Sequence, residues 1–462
     1  MELLKEIDNY IEVNRNLLVS DIIEFINMKS IKQPATKGCP FGEDIKAFLE
    51  YFKARCQEEG FYIKDYGTGI VSASLYDTEI DLGIWLHGDT VSVGDGWNFN
   101  PFNAVEYEAC IIGRGATDNK GQLSAVFNLF KILKKLNVKL EYNPAIFLGS
   151  DEESGMSDLR AFLENNQPPA LSLVPDGDFP VAYGGKGSIK IKLHSKASLK
   201  DFVLEAGQIE NPAKASAYFS SFDFTRKLKY ATAVKKNNCV EVSVNTLPVH
   251  GSKPNKNGNM ITLLTEELSD FEGVCESDKR IINFLNVLSK DIYGEIFGLK
   301  KTTASAPLTV NLNQINNANR IVELCLDIRY PVEYTEIEIE KKISQTCKEC
   351  GFILAEIQNN TKPFIISKKD KTLNLLCMIA NSVCEDSQPP YLVAGSTYAH
   401  LLPNAYIFGM SGNLPPTSYS VGRGGAHGVD EAVSIKRLQR AMKIYTRVLI
   451  SLRKDMLKTP QI

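Results

Sequence analysis

Residues 145–155 read AIFLGSDEESG, a short apolar run that leads directly into an acidic loop. The apolar part, 145–148, is typical of a strand buried on both faces of a sheet, and a helix is expected to follow from Met156 to Glu164. Within the loop, Glu152 and Glu153 are adjacent, so one carboxylate can bind a metal while the other stays free as a base. That division of roles is typical of a metal-assisted hydrolase.

The same order of buried strand, loop and helix occurs elsewhere in the chain. The apolar runs 81–86 and 171–174 are expected strands, and 122–136 has apolar residues at helical spacing. Strands that alternate with helices favour a mostly parallel sheet in an α/β domain. Loops at the carboxyl ends of such strands normally carry the functional site.

The pattern changes after Gly184 and returns near Lys369. Residues 188–193 alternate between apolar and polar, which indicates an antiparallel strand with one solvated face. The sequence therefore predicts an α/β catalytic, metal-binding domain formed by residues 1–183 and 363–462, with an inserted α+β domain at 184–362. Residues 430–457 are expected to form one long helix that closes the first domain.

Composition excludes several classes of function. The chain has 462 residues, 44% hydrophobic and 23% charged, and a net charge of −3, which favours neither nucleic acid nor an anionic membrane as a partner. No window is apolar and long enough to span a bilayer, and the N-terminus has charges where a signal peptide needs an apolar core. Ten cysteines without a framework pattern fit reduced thiols, so a cytoplasmic location is expected. The C-x-x-C at Cys347 and Cys350 lies in an expected amphipathic helix, where an ordinary helix-face role is favoured over zinc or redox chemistry.

Histidine and carboxylate side chains in loops are the candidate metal ligands: His87, Asp118, Glu153, Asp176 and His427. Each alone has an ordinary explanation, since Asp118 can cap a helix, Asp176 can serve a turn, and His427 can be a surface histidine. If all of these ordinary explanations held, the five residues would have come together on the loops of one sheet by chance. A set of His, Asp and Glu without Cys suits zinc at a hydrolytic site, with manganese or cobalt as replacements. Asp89 is placed to accept the other ring N–H of His87.

Four motifs carry a resemblance to a known family: HGDTV at 87–91, GRGATDNKG at 113–121, SDEESG at 150–155 and PDGDFP at 175–180. The chain resembles the M20 metallopeptidases over nearly its whole length, and most of all the PepV-type bacterial dipeptidases, which are related to carnosinase. The resemblance implies a two-domain zinc exopeptidase fold and a site for two Zn²⁺. His87 and Asp176 would bind one ion and Glu153 and His427 the other, with Asp118 bridging. Glu152 would be the general base and Asp89 the partner of His87.

The resemblance also gives the inserted domain the role of a substrate-binding lid. His250 resembles the lid histidine that polarises the scissile carbonyl, Asn211 a lid residue that contacts the substrate, and Arg329 a clamp for the free carboxylate. Arg329 is equally explained as a surface charge at a strand end, and His250 as a polar loop residue. Two positions depart from the family pattern, because Gly185 stands where Glu is frequent and His400 where related dipeptidases commonly have Arg.

The expected function is therefore hydrolysis of small peptide substrates, Xaa-Xaa dipeptides including β-Ala-Xaa, by a metal-activated water with Glu152 as base. An N-acyl-amino-acid deacylase of the same family is the nearer alternative, and a non-catalytic binding protein on this fold the more distant one. The enlarged lid resembles the PepV-type arrangement, in which His250 serves its own chain. A monomer is expected on that basis.

Overall fold

The computed structural model describes residues 2–208, 211–220, 227–246, 259–269, 271, 274–318, 320–410, 416–420 and 423–457. Within these ranges, none of the helices combines the length and the apolar character that a bilayer crossing requires. By contacts between its residues, the chain divides into two compact units. The first comprises Met1–Gly184, Ile365–Val393 and Thr397–Ile462, and the second Gly185–Phe364 with Ala394–Ser396.

Ten α-helices lie in the described part of the chain: α1 Glu2–Val13, α2 Arg15–Asn27, α3 Glu43–Glu58, α4 Lys120–Lys135, α5 Ser157–Asn165, α6 Met260–Ser269, α7 Glu276–Lys290, α8 Glu336–Glu349, α9 Lys371–Cys384 and α10 Ile435–Ser451. Two short 3₁₀ helices cover Tyr398–His400 and Lys454–Leu457.

The strands of the described ranges are β1 Tyr62–Asp65, β2 Val71–Ser74, β3 Leu82–His87, β4 Val105–Tyr107, β5 Cys110–Ile112, β6 Pro144–Gly149, β7 Leu171–Val174, β8 Ala182–Gly185, β9 Gly187–Ser198, β10 Phe202–Gln208, β11 Asn211–Phe219, β12 Thr232–Lys236, β13 Cys239–Asn245, β14 Thr309–Ala318, β15 Ile321–Tyr330, β16 Phe352–Thr361, β17 Phe364–Ile365, β18 Tyr391–Val393, β19 Ala405–Ile407 and β20 Ala432–Ser434.

A six-stranded sheet forms the centre of the first unit, in the order β1-β2-β6-β3-β7-β19. The pairs β6–β3, β3–β7 and β7–β19 are parallel, whereas β1–β2 and β2–β6 are antiparallel. Strands β3 and β6 are buried along their whole length, as near-continuous apolar runs in a covered parallel sheet should be. This confirms the predicted α/β class with a mostly parallel sheet.

The parallel register brings the ends of the central strands to one edge. His87, the last residue of β3, pairs with Gly149, the last residue of β6. Strand β7 ends at Val174, so Pro175 and Asp176 leave the sheet at the same edge. The loops predicted to carry the site therefore start side by side.

An eight-stranded sheet forms the second unit, in the order β12-β13-β11-β10-β14-β15-β9-β16, and each recorded pairing within it is antiparallel. Apolar residues of alternating strand positions, such as Ile189 and Ile328, share one core with residues of α6, α7 and α8. The opposite face of the central strands carries polar side chains, including Asp327 and Arg329. Partly exposed and buried positions alternate only in the first half of β15, as on a strand with one covered face, whereas Asp327 and Arg329 near its end are buried.

The prediction of a single helix over 430–457 is wrong at both ends, because α10 ends at Ser451 and Lys454–Leu457 is a separate 3₁₀ helix. Ala432–Ser434 is a strand that pairs with β5, and α10 begins only at Ile435. Glu431, the residue before this strand, is buried, and its carboxylate accepts backbone N–H groups of the loop that carries Asp118. Apolar periodicity alone could not separate this short strand from the amphipathic helix that follows.

Candidate active site

Loops at the edge of the parallel sheet bring together the five residues that the sequence singles out as ligands. His87 ends β3, Glu153 follows β6, and Asp176 follows β7. Asp118 lies just before α4, whose N-cap is Asn119. His427 lies in the glycine-rich segment before β20, with a left-handed backbone at φ +63°.

Two groups of side chains in this cluster have metal-ligand geometry. In the first, donor atoms of His87, Asp118 and Asp176 all lie within 4.8 Å of one another. In the second, the same holds for Asp118, Glu153 and His427. Asp118 belongs to both groups, because its Oδ1 lies 2.9 Å from Nε2 of His87 and its Oδ2 lies 3.1 Å from Nε2 of His427. The two groups therefore share one carboxylate that presents an oxygen to each.

The pKa shifts of this cluster indicate an excess of negative charge, which bound cations would balance. Burial raises the pKa of Asp176 to about 7, with the charge of Asp118 adding to the effect, and burial likewise raises the pKa of Glu153. Burial opposes protonation of His427, but Glu153 and Asp118 outweigh it and raise its pKa to about 11. Ionisation of Asp176 and Glu153 is therefore disfavoured, and protonation of His427 is favoured, because negative charge is crowded into a buried site. Three carboxylates and two imidazoles form a donor set that fits a pair of divalent ions such as zinc.

Glu152 differs from its neighbour Glu153. It belongs to neither ligand group, its exposed fraction is 9%, and its Oε1 has no hydrogen-bond partner among the described residues. Burial, together with the negative charges of Asp176, Glu153 and Asp118, raises the pKa of Glu152 well above its ordinary value, although His87 opposes this. A buried carboxylate with a raised pKa beside a ligand cluster is suited to taking and returning a proton.

Asp89 has a wider role than the partner of His87. Nδ1 of His87 lies 3.0 Å from the backbone oxygen of Asp89 and 3.5 Å from its carboxylate Oδ1. The carboxylate accepts the backbone N–H groups of Glu152 at 3.3 Å and Glu153 at 3.1 Å. Asp89 therefore links the loop after β3 to the loop after β6, and holds both glutamates in place.

Several buried polar residues around the cluster escaped the sequence analysis. Glu431 and Arg114 form an ion pair of 2.7 Å, and both side chains are 1% exposed. Asp158, at the start of α5, accepts the backbone N–H groups of Ser150 and Asp151 at 2.7 and 3.1 Å. In the sequence, the one sign of their importance was that each residue lies in or near a motif that carries a candidate ligand. Their partners could not be identified without the fold.

Arg329 lies in the second unit, buried on β15. Its Nε and Nη2 donate side-on to the carboxylate of Asp327 at 2.6 and 3.0 Å, and Nη1 lies 3.3 Å from Oγ of Ser396. This arrangement holds the guanidinium plane rigidly in place. It is thus more than the surface charge at a strand end that the sequence also allowed.

The other residues expected to contact substrate are less informative. Asn211 is the first residue of β11 and pairs with Gln208. Nδ1 of His400 accepts the backbone N–H of Thr397 at 3.1 Å, a local cap within its own 3₁₀ turn. His250 lies outside the described residues. Gly185 ends β8.

Comparison with known proteins gives a family match over most of the chain. The sequence pattern of "Peptidase family M20/M25/M40" matches residues 84–451. The chain is 27% identical over 465 residues to a Bacillus subtilis protein named "Putative dipeptidase YtjP", covering 95% of this chain and 97% of the relative. It is 26% identical over 467 residues to a Staphylococcus epidermidis protein named "Putative dipeptidase", with the same coverage.

Solved structures share the fold. Human carnosine dipeptidase 1 superposes with a TM-score of 0.64 at 15% identity, covering 98% of this chain and 99% of that one. The dipeptidase Dug1p from Saccharomyces cerevisiae gives a TM-score of 0.60 at 14% identity, covering 96% and 98%. At these identities the likeness concerns the fold alone.

Proposed function

Because this chain belongs to peptidase family M20/M25/M40, we propose that it is a metal-dependent dipeptidase with a dinuclear site. The observation that carries the proposal is the pair of three-residue ligand groups that share Asp118. Beside them, Glu152 is a buried carboxylate outside both groups. The names of the two bacterial relatives support dipeptides as the substrate class.

The proposed ligands are assigned to two ions according to the two groups that share Asp118. His87 and Asp176 would hold one ion, Glu153 and His427 the other, and Asp118 would bridge them. Zinc fits this donor set, and manganese or cobalt fits it as a replacement. When bound, such ions polarise a carbonyl and lower the pKa of a water to near neutrality.

The chain's own residues supply proton transfer and positioning. We assign to Glu152 removal of a proton from the attacking water and its delivery to the leaving amine. Its raised pKa suits both halves of that task, because the carboxylate holds the proton until the amine takes it. Asp89 fixes the Glu152 loop through the backbone and supports the orientation of His87.

Substrate recognition is proposed for the second unit. Arg329 is held by Asp327 with Nη1 directed towards Ser396, and a planar guanidinium can meet a terminal carboxylate with parallel hydrogen bonds. His250 is proposed to stabilise the oxyanion, and Asn211 and His400 to contact the substrate. Closure of the substrate-binding unit is proposed to gate turnover.

A substrate panel tests the proposal and separates it from deacylation. The native protein, stripped by chelator and reloaded with zinc, manganese or cobalt, is given Xaa-Xaa dipeptides, β-Ala-Xaa dipeptides and N-acetyl amino acids. The proposal expects metal-dependent release of amino acids from dipeptides with a kcat/KM higher than that for N-acetyl amino acids. Preference for N-acetyl amino acids would make the protein a deacylase. Metal binding without hydrolysis of either class would leave only a binding function.

A further inference from the structure

Arg114 and Glu431 form a buried ion pair that lies next to the ligands without belonging to them. Nη1 of Arg114 lies 2.7 Å from Oε2 of Glu431, although 317 residues separate the two in sequence. Neither side chain belongs to the ligand groups around Asp118. A charge pair with both side chains about 99% buried is costly to desolvate, so stability alone is a poor explanation of its presence here.

The carboxylate of Glu431 is fully engaged by the loop that carries Asp118. Besides Arg114, Oε2 accepts the backbone N–H of Gly115 at 3.2 Å. Oε1 accepts the backbone N–H groups of Thr117 at 2.8 Å and Asp118 at 3.0 Å. The carboxylate of Glu431, four residues after His427, therefore fixes the main chain of Asp118, the proposed bridging ligand.

The guanidinium of Arg114 contacts two further ligand-bearing segments. Nη2 lies 3.3 Å from the backbone oxygen of His427 and 3.1 and 3.3 Å from those of Ser92 and Val93, in the segment that follows Asp89. The Asp118 loop, the His427 segment and the segment after β3 thus meet at one ion pair. The hydrogen bonds are directional, so a change in the pair shifts the loops relative to one another.

We infer that Arg114 and Glu431 are a positioning pair: they set the distance between the Asp118 and His427 loops, and metal affinity depends on them. The inference rests on the proposed function, since it presumes that the two groups bind metal. Residues that orient ligands without touching the ion typically change metal affinity 10–100-fold when replaced. A purely structural ion pair would change stability and leave affinity unaltered.

Two variants separate positioning from folding. Glu431→Gln keeps the shape of the side chain but presents an NH₂ group to backbone donors that need an acceptor. Arg114→Lys keeps the positive charge beside Glu431 but loses the fork that reaches three carbonyl groups. The matched control is Asp21→Asn in the same unit. Asp21 is buried and pairs with Arg55 and Lys131, and it makes no recorded contact with a ligand.

The measurements are made on metal-free protein titrated with Zn²⁺ alone, with folding monitored by circular dichroism and thermal melting. Glu431→Gln and Arg114→Lys are expected to remain folded and to raise the zinc dissociation constant about 10–100-fold. Asp21→Asn is expected to lower the melting temperature with native zinc affinity. With Co²⁺, the visible absorption of the two positioning variants should differ from that of the native protein, and that of Asp21→Asn should not.

Native zinc affinity and a native cobalt spectrum in both positioning variants would overturn the inference, as would failure of both to fold without metal. Zinc binding and dipeptide hydrolysis measured on the native protein distinguish failure of this inference from failure of the proposed function. If it binds zinc but hydrolyses no dipeptide, the proposed function fails and the affinity comparison still stands. If it binds no zinc at all, both fail.

Discussion

The phenol of Tyr398 donates a 2.6 Å hydrogen bond to Oδ2 of Asp158, and both side chains are buried. The approach depends on Gly149, because a Cβ there would lie 1.9 Å from the phenol oxygen. The same carboxylate oxygen accepts the backbone N–H groups of Ser150 and Asp151, which lead to Glu152. Asp158 therefore anchors the start of the loop that carries both glutamates.

Asp158 should give the metal-free protein a recognisable pH dependence. Burial is the main cause that raises its pKa from 3.8 to about 6. The folded state then binds more protons than the unfolded state between pH 4 and 6, so the free energy of unfolding falls as pH rises through that window. The Asp158→Asn variant cannot ionise and should lack this contribution.

Denaturant titrations of the metal-free native and Asp158→Asn proteins measure the difference at each pH. From about pH 4 to 6, the native protein should lose roughly 3 kcal/mol relative to the variant, which is two pKa units of linkage. A difference that stays flat, or that moves in favour of the native protein, would show that Asp158 ionises normally in the fold.

Arg329 should control the preference for a free carboxylate. The native protein is expected to hydrolyse dipeptides faster than the corresponding dipeptide amides. Arg329→Met should lower kcat/KM for the free acids about 10–100-fold, the value of a charge-assisted hydrogen bond, and should change amides little. Lys192→Met is the control, since Lys192 lies on neighbouring strand β9 and pairs with an exposed Glu356. Equal turnover of acids and amides by the native protein would contradict the proposal that Arg329 binds the free carboxylate.

The monomer prediction concerns which chain supplies His250. If the histidine serves its own chain, specific activity should not fall on dilution, because no subunit encounter is needed. Inactive His250→Ala and Glu152→Ala chains are mixed under conditions that permit exchange. The mixture should stay inactive. Recovered activity would mean that the histidine acts across a dimer, in the partner's site.

The ends of the central strands were predictable from sequence, whereas the supports of the ligands were not. Nearly apolar runs at β3, β6 and β7 mark buried parallel strands, and His87, Glu153 and Asp176 lie at or just after their ends. The motif at 113–121 added Asp118, and the resemblance to the family added His427. The hydrogen bonds of Asp89 to the backbone of the glutamate loop depend on loop geometry that spacing does not reveal.

Contacts between residues far apart in sequence explain the other features that the sequence did not predict. Arg114 and Glu431 lie 317 residues apart, and neither residue type indicates a buried partner by itself. The expected last helix fails at its start because Ala432–Ser434 pairs with β5, a strand more than 300 residues away that periodicity cannot reveal. Charged residues are rarely buried, so sequence alone favours a solvent-exposed position for both.

The division of roles between Glu152 and Glu153 is the central claim, and metal content and kcat measured on the same samples test it most directly. Glu152→Gln should retain the zinc content of the native protein, proposed to be two ions per chain, and lose about two orders of magnitude or more in kcat, as expected for a lost general base. Glu153→Gln should lose zinc, because Glu153 lies 3.1 Å from His427 within a ligand group. Zinc loss in Glu152→Gln with full occupancy in Glu153→Gln would contradict the assignment and exchange the two roles.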